Sequence, residues 1–437
     1  MVSVCFYFQV HQPYRIRRDF SYFSIGSHEP FEDDEQNAAI MRKVAKNCYL
    51  PTNQLMLDLI ERHQGKFRIS YAITGTALEQ FEEYAPEVLE SFQQLAKTGQ
   101  VEFIAETYYH SLAFLFSEKD FIQQVQKHQT KIHSLFGVNP RSFRNTELIY
   151  NNNLAQITEE LGFSTILTEG ADRILDWRSP NFLYQPKGCQ SLKLLLKNYR
   201  LSDDIAFRFS DQNWNHWPLH AETYAQWLHQ IAGSGDLINL FMDYETFGEH
   251  QWDGSGIFHF LEYLPTAILR HPDFSFATPQ ELSSRHRPVA SLDIPQLVSW
   301  ADTERDTSAW LGNSLQDAAA ERVFGLEQKV MATKDEALIH AWRKLQTSDH
   351  FYYMCTKYFQ DGDVHKYFNP YDSPYEAFIC YCNAINQLEW TIEQREVKRL
   401  DQVAKRVHES LYAGDGFPSL PLNARVPGRR QAGETSL

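Results

Sequence analysis

Over its first two thirds the chain alternates short apolar, strand-like runs with longer amphipathic stretches, the pattern that builds βα units around a parallel sheet or barrel. Candidate strands are Val2 to Val10, Phe67 to Ile73, Val101 to Ala105, Ser142 to Glu147, Ser164 to Thr168 and Leu237 to Asp243. Between them lie helix-like segments such as Gln36 to Ala45, Ala77 to Lys97, Glu118 to Leu135, Asn153 to Leu161 and Ala221 to Ile231. Gly99-Gln100 and Gly162 stand where helices should stop and the next strand begin. From about Pro265 the pattern changes, and after Ala309 it becomes long helical stretches: Asp317 to Met331, Lys334 to Gln346, Tyr375 to Glu389 and Val397 to Leu411. A chain of 437 residues exceeds what one hydrophobic core usually organises. The expectation is an α/β barrel over 1–290, a helical domain over 291–413, and a poorly ordered Gly-, Pro- and Arg-containing tail over 414–437.

The charge balance works against several partner classes. With 41 basic and 56 acidic residues the net charge is −15, and no long Lys/Arg block interrupts it, so phosphate backbones and anionic membranes are repelled overall. Neither nucleic acid nor a membrane is an expected partner. The N-terminus runs from Met1 directly into VSVCFYFQV without a basic leader or cleavage site, and no apolar stretch approaches the roughly 18 residues of a membrane span. The six cysteines (Cys5, Cys48, Cys189, Cys355, Cys380, Cys382) form no C-x-x-C pair or disulfide framework and read as reduced thiols, so a cytoplasmic location is expected. Nine Trp, 22 Tyr and 30 Phe supply many flat apolar faces, which serve core filling or stacking on sugar rings equally well. Nothing in the sequence sets the oligomeric state.

In a parallel βα barrel, functional side chains gather at the C-terminal ends of strands, where the βα loops open. Four candidate strand ends carry polar clusters: His11-Gln12-Pro13, Tyr108-Tyr109-His110, Asn145-Thr146-Glu147 and Asp243-Tyr244-Glu245. The last is the most informative, because six apolar residues from Leu237 to Met242 end in a carboxylate, whose burial without a partner is costly. Strand alternation puts Asp243 and Glu245 on one face, and likewise Asn145 and Glu147. One acid from each strand then points into a common pocket, and glycosidic bond cleavage needs two such carboxyls, roughly 5–5.5 Å apart for retention. Taken singly, an acid at a strand end is more often a helix cap or salt-bridge partner, a strand-end histidine more often bonds a neighbouring carbonyl, and Trp300 or Trp310 is more often core. The joint occurrence at four strand ends shifts that balance.

These clusters, with a fifth, resemble the ordered sequence regions of glycoside hydrolase family 57, the family of α-amylases, 4-α-glucanotransferases and related α-glucan enzymes. His11-Gln12-Pro13 resembles its first region, GQVEFIAETYYHSL (Gly99 to Leu112) its second, FRNTELIYNN (Phe143 to Asn152) its third, MDYETFGEH (Met242 to His250) its fourth and SWADTERDTSAWLGN (Ser299 to Asn313) its fifth. The resemblance implies a distorted (β/α)7 barrel followed by a helical bundle that completes the cleft. It also implies retaining double displacement, with Glu147 as nucleophile and Asp243 as general acid/base, and neither a metal nor a cofactor. His11, Gln12, His110, Asn145, Glu245, His250, Trp252, Trp300, Asp302 and Arg305 are the implied substrate-binding positions. The wording YYHSL, NTELIYNN and DYETFGEH is similar to the α-amylase branch, so the expected partner is an α-glucan of the starch or glycogen type and the expected reaction α-1,4-hydrolysis. The alternatives are a 4-α-glucanotransferase, a metal-dependent polysaccharide deacetylase or α-mannosidase, and a non-catalytic carbohydrate-binding protein. The metal-dependent reading is disfavoured because His11 is followed by Gln12-Pro13 rather than His-x-Asp; the non-catalytic one is disfavoured by the presence of both acids.

Overall fold

A computed structural model describes residues 1–27, 29–359 and 369–412; the tail expected over 414–437 lies outside them. Among the described residues there are ten strands: β1 (Val2–Val10), β2 (Ile69–Ile73), β3 (Val101–Phe103), β4 (Ser142–Arg144), β5 (Thr165–Glu169), β6 (Gln185–Pro186), β7 (Lys193–Lys197), β8 (Leu237–Asp243), β9 (Phe274–Phe276) and β10 (Ser291–Leu292). Seven of them close a parallel ring. Ladders join β3, β2, β1 and β8 in that order, and β4, β5 and β7 in another. The two arcs meet through an Ala105–Phe143 bridge on one side. On the other, Asn198 N–H donates to the Asn239 carbonyl at 2.9 Å and Asn239 Nδ2 to the Leu196 carbonyl at 2.8 Å. The ring is thus distorted: β3 and β4 are only three residues long, β7 meets β8 without a ladder, and β9 pairs with the start of β1. Outside the ring, β6 pairs with β10. This is the distorted (β/α)7 barrel that the family resemblance implies, where the strand pattern alone leads to a parallel sheet or barrel.

Alternation explains why these segments are strands. Val4, Phe6, Phe8 and Val10 belong to the apolar layer between sheet and outer helices, while Cys5 and Tyr7 join Leu237 and Phe241 inside the ring. All nine residues of β1 are buried, as expected for a strand covered on both faces. The same period turns Ser142 and Arg144 of β4 inward and Phe143 outward.

The structure corrects several element boundaries. The stretch Ala77 to Lys97 is two helices, Gly75–Tyr84 and Pro86–Lys97, because Pro86 lacks a donor and holds Ala85 away from helical geometry (φ −152°, ψ 62°). Asp317 to Met331 divides into Ser314–Gly325 and Glu327–Thr333. Conversely, the two last helical stretches are one helix, Pro374–Tyr412. The seventh barrel strand, β7, is not among the candidate strands, because the short apolar run in KLLLK has no period that separates a strand from a turn of helix.

The helical region packs on one flank of the barrel. Phe143, Ile166, Leu194 and Leu196, the outward residues of β4, β5 and β7, share one apolar cluster with Val323, Trp342, Phe351, Tyr381 and Ile385. The barrel's own helices Glu118–Phe136 and Asn152–Glu160 join the same cluster through Phe121, Val125 and Leu154.

Close approach at a strand end excludes a side chain at Gly170: a Cβ there, just past β5, would lie 2.2 Å from the Lys197 carbonyl oxygen, whereas one on Gly137 meets nothing within 4 Å. Gly170→Ala should therefore destabilise by about 1–3 kcal/mol through overpacking. Gly137→Ala, at φ +71° on a helix end, should cost about 1–2 kcal/mol from conformation alone. Denaturant titration of the two variants tests this: an unchanged midpoint in Gly170→Ala would mean that the Lys197 carbonyl can move aside.

Candidate active site

Asp243 is the last residue of β8 and pairs in register with Gln9 of β1. The alternation that turns Leu237 and Phe241 inward carries Asp243 to the mouth of the ring. Glu147 arrives differently. Its strand stops at Arg144, and Thr146–Leu148 forms a single tight turn with Glu147 at φ 57° and Leu148 at φ 52°. The expected common strand face for Asn145 and Glu147 is therefore not formed: Asn145 turns its Nδ2 to the Ile149 carbonyl at 3.1 Å. Glu245 likewise lies beyond its strand, in the turn Tyr244–Thr246, not in alternation with Asp243. Left-handed backbone at a non-glycine residue is strained and persists only where surrounding contacts over-determine it.

Those contacts converge on the Glu147 carboxylate. Oε1 lies 3.2 Å from His110 Nε2 and accepts from Ser348 Oγ at 2.9 Å; Oε2 accepts from Trp300 Nε1 at 2.7 Å. Burial works to raise its pKa, but the hydrogen bond and charge of His110 and the Trp300 donor outweigh burial and hold the carboxyl below its ordinary value. His110 is itself pushed up to about 9: burial opposes its charge, but bonds to Glu106 (3.0 Å from Nδ1) and Glu147 favour it. Asp243 shares the same cavity without a hydrogen bond to any described side chain. Burial, then the negative charge of Glu147, push it up to about 6, against the opposing pull of Arg144, His110 and Lys197. Two carboxyls in one pocket are thus driven apart in acidity by their surroundings.

The cavity holding both acids has a volume of about 600 Å³. Of the other sequence-predicted positions, His11, Gln12, His110, Glu245, His250, Trp300, Asp302 and Arg305 line it; Asn145 and Trp252 do not, and Trp252 stands largely in solvent. His11 Nε2 meets Asp349 at 2.8 Å and Nδ1 meets Thr74 Oγ1 at 3.0 Å, and its ring stacks on His110 with centroids 4.1 Å apart. Glu245 accepts from the Tyr49 hydroxyl and, at 3.4 Å, from His11 N–H. Burial and the neighbouring Asp243 push it up to about 8, and burial brings His250 down to about 4. Arg305 bridges Glu169 at 2.7 Å and Asp203 at 3.1 Å, with its guanidinium 4.2 Å from the Tyr199 ring centre. Asp302 meets Lys357 at 3.1 Å. Among the described residues, no group of three or more His, Cys, Asp or Glu side chains is arranged to hold a metal ion.

Sequence reasoning missed Ser348, Asp349, Lys197, Asp203, Glu169 and Arg144. Glu169 and Lys197 close strands β5 and β7, so recognition of β7 would have brought Lys197 into view. Ser348 and Asp349 carried no such signal, since they follow a helix far from any strand.

Comparison with known proteins agrees with this architecture. The sequence model of Glycosyl hydrolase family 57 matches residues 5–295. A protein of Methanocaldococcus jannaschii named "Putative alpha-amylase" is 43% identical over 403 residues, covering 90% of this chain and 85% of its own. The solved 4-alpha-glucanotransferase from Thermococcus litoralis superposes with a TM-score of 0.62 at 14% identity, over 80% of this chain and 56% of that one. The GH57-type branching enzyme from Pyrococcus horikoshii gives 0.62 at 14% identity, over 84% of this chain and 87% of that one. At such identities these structures speak to fold alone. No helix of the described residues is long and apolar enough to cross a membrane.

The buried Glu245 carboxyl has a consequence for stability. It ionises near pH 4.5 in the unfolded chain but near 8 in the fold. Between those values the native state binds more protons than the unfolded one, so its stability falls as pH rises, by about 1.4 kcal/mol per unit at full separation. Glu245→Gln keeps an acceptor for Tyr49 and removes the titration. Thermal melts from pH 5 to 8 should show the variant gaining progressively on the wild type; a constant gap would mean that Glu245 titrates normally.

Proposed function

The chain belongs to glycosyl hydrolase family 57 and is a glycosidase, and from that premise we propose that it cleaves α-1,4-glucosidic bonds of starch- or glycogen-type α-glucans with retention of configuration, Glu147 acting as nucleophile and Asp243 as general acid/base. The observation that carries this reading is the split between the two carboxyls of one cavity. Glu147 receives three donors and is held ionised, whereas Asp243, close enough to feel that charge, keeps its proton up to about pH 6. The amylase name of the 43% identical relative supports the choice of bond.

The chemistry follows from that asymmetry. Asp243 gives its proton to the glycosidic oxygen as Glu147 attacks the anomeric carbon; the C–O bond to the leaving sugar breaks and an ester to Glu147 forms. Esterification removes the Glu147 charge, which is one of the two main causes holding Asp243 protonated. The resulting Asp243 carboxylate is then suited to take a proton from water as it attacks the ester, restoring both groups. If a sugar hydroxyl takes the place of water, the same steps give transfer and the enzyme is a 4-α-glucanotransferase. His11, Glu245 and Arg305 line the cavity with the donors and acceptors that sugar hydroxyls require.

Asp243→Asn should lower kcat by about 10²–10⁴-fold on an unactivated glucan, and Glu147→Gln by at least as much, with melting behaviour preserved. Incubation with soluble starch and with maltotriose, following product lengths and the anomer first formed, tests the reaction. Shortened chains with the α anomer formed first support hydrolysis with retention; lengthened chains mean transfer; an inverted anomer rejects the mechanism.

The pH profile of kcat/KM carries the sign of both shifts. The active form needs Glu147 ionised and Asp243 protonated, so activity should fall on the acid side as Glu147 takes up a proton. On the basic side it should fall about tenfold per unit above pH 6 as Asp243 loses its own. A flat profile up to pH 8 would reject Asp243 as the acid.

A further inference from the structure

The turn that follows helix Glu336–Lys344 docks on the loop after β3. Thr347 Oγ1 donates to the Tyr109 carbonyl at 2.8 Å, Ser348 N–H to the His110 carbonyl at 2.9 Å, and Leu112 N–H to the Gln346 carbonyl at 3.2 Å. A Ser111–Thr347 antiparallel bridge completes the seam. It closes around His110, itself left-handed at φ 50°, so the helical region supplies contacts that keep this strained residue in place.

From this turn we infer that Ser348 and Asp349 are positioning residues of the catalytic apparatus: Ser348 orients the Glu147 carboxylate for attack, and Asp349 orients His11 and, through ring stacking, His110. The inference rests on Glu147 being the nucleophile. Ser348 Oγ donates to Glu147 Oε1 at 2.9 Å. A serine at the start of a short helix often spends its hydroxyl on capping, but the cap position of Ser348–Tyr352 is Thr347, and no side chain caps that helix. The Ser348 hydroxyl is committed to Glu147 instead. Asp349 Oδ2 meets His11 Nε2 at 2.8 Å while Thr74 Oγ1 meets Nδ1 at 3.0 Å. An anion on Nε2 and a hydroxyl on Nδ1 suit a neutral ring with its proton on Nε2. Such a ring stacks on the charged His110 without setting two cations face to face. Barrel and helical region therefore each hold one side of the same hydrogen-bonded chain.

The charged groups around Glu147 are His110 from the β3 loop, Asp243 from β8, Arg144 and Lys197 flanking Trp300, and Asp349 from the helical turn. Ser348 and Asp349 act on the carboxylate with opposite sign. The Ser348 donor stabilises its charge, and the Asp349 anion opposes it.

In the full-length protein, kcat and KM on maltooligosaccharides across pH test the assignment. Ser348→Ala should lower kcat about 10- to 100-fold, the scale of one lost hydrogen bond to a charged group, with KM changed less than about twofold. It should also move the acid limb of kcat/KM to higher pH, and Ser348→Thr, which keeps the hydroxyl, should recover most of the loss. Asp349→Asn keeps an acceptor for His11 but removes the charge, so it should move the same limb to lower pH. A purely structural role would not produce shifts of opposite sign. Wild-type kcat and an unmoved limb in Ser348→Ala, alongside an inactive Glu147→Gln, overturn this inference and leave the glycosidase mechanism standing; an active Glu147→Gln removes the mechanism beneath it. Should Ser348→Ala melt below the assay temperature, the near-isosteric Ser348→Cys, a weaker donor, reads the same limb, and an unmoved limb there also overturns the inference.

Discussion

The electrostatics of the site depend on one fully buried cation. Arg144 points into the ring from β4, with Glu106 at 3.6 Å and the faces of Tyr7 and Trp300 at 5.9 and 5.4 Å from its guanidinium. An unpaired charge in that position would be prohibitive, so the surroundings are built to answer it. Burial alone would raise the Glu106 carboxyl; the bond from His110 and the charges of Arg144 and His110 bring it down to about 2. An ionised Glu106 then holds His110 by Nδ1 at 3.0 Å and supports its charge, which leaves Nε2 facing Glu147. The ionised state of Glu147 is the last link of a chain that starts at Arg144. Asp243 sits in the same field but receives no donor, and that difference, more than the carboxyls themselves, separates their chemistry.

The barrel alone does not complete this arrangement. Glu147 takes one donor from the β3 loop, one from the segment that follows β10 and one from the helical turn. Three parts of the chain, the farthest of them 201 residues from Glu147 in sequence, meet on one carboxylate. The helical region is anchored for the purpose by the apolar cluster it shares with the outer faces of β4, β5 and β7, so its placement is set by core packing and not by the polar contacts themselves. Rigid support of this kind allows left-handed backbone at His110 and Glu147 to persist.

Much of the site was legible in the amino-acid order because strand ends are local features. The apolar run Leu237–Met242 ending in Asp243 specifies both a strand and the position of an acid at its mouth, and β1 with His11 does the same. Glu147 was found for a reason the structure replaces: alternation along a strand that in fact stops three residues earlier. Its orientation comes from a left-handed turn that no residue type at positions 147 and 148 announces, since neither is glycine, asparagine or aspartate. Asn145, placed by the same alternation, turns to a backbone carbonyl for the same cause.

What the sequence determined by itself is therefore the set of βα units, the change to helices after Ala309, and the placement of His11 and Asp243 at strand ends. All of these are written in hydrophobic period and in residues a few positions apart. Only the tertiary structure decided which acid is kept ionised and which protonated, because that depends on Arg144, Glu106, Ser348, Asp349 and Trp300 converging from distant segments. Acidity is a sum over charges, donors and burial within a few ångströms, and nearness of that kind is created by packing and is not recorded in the order of residues.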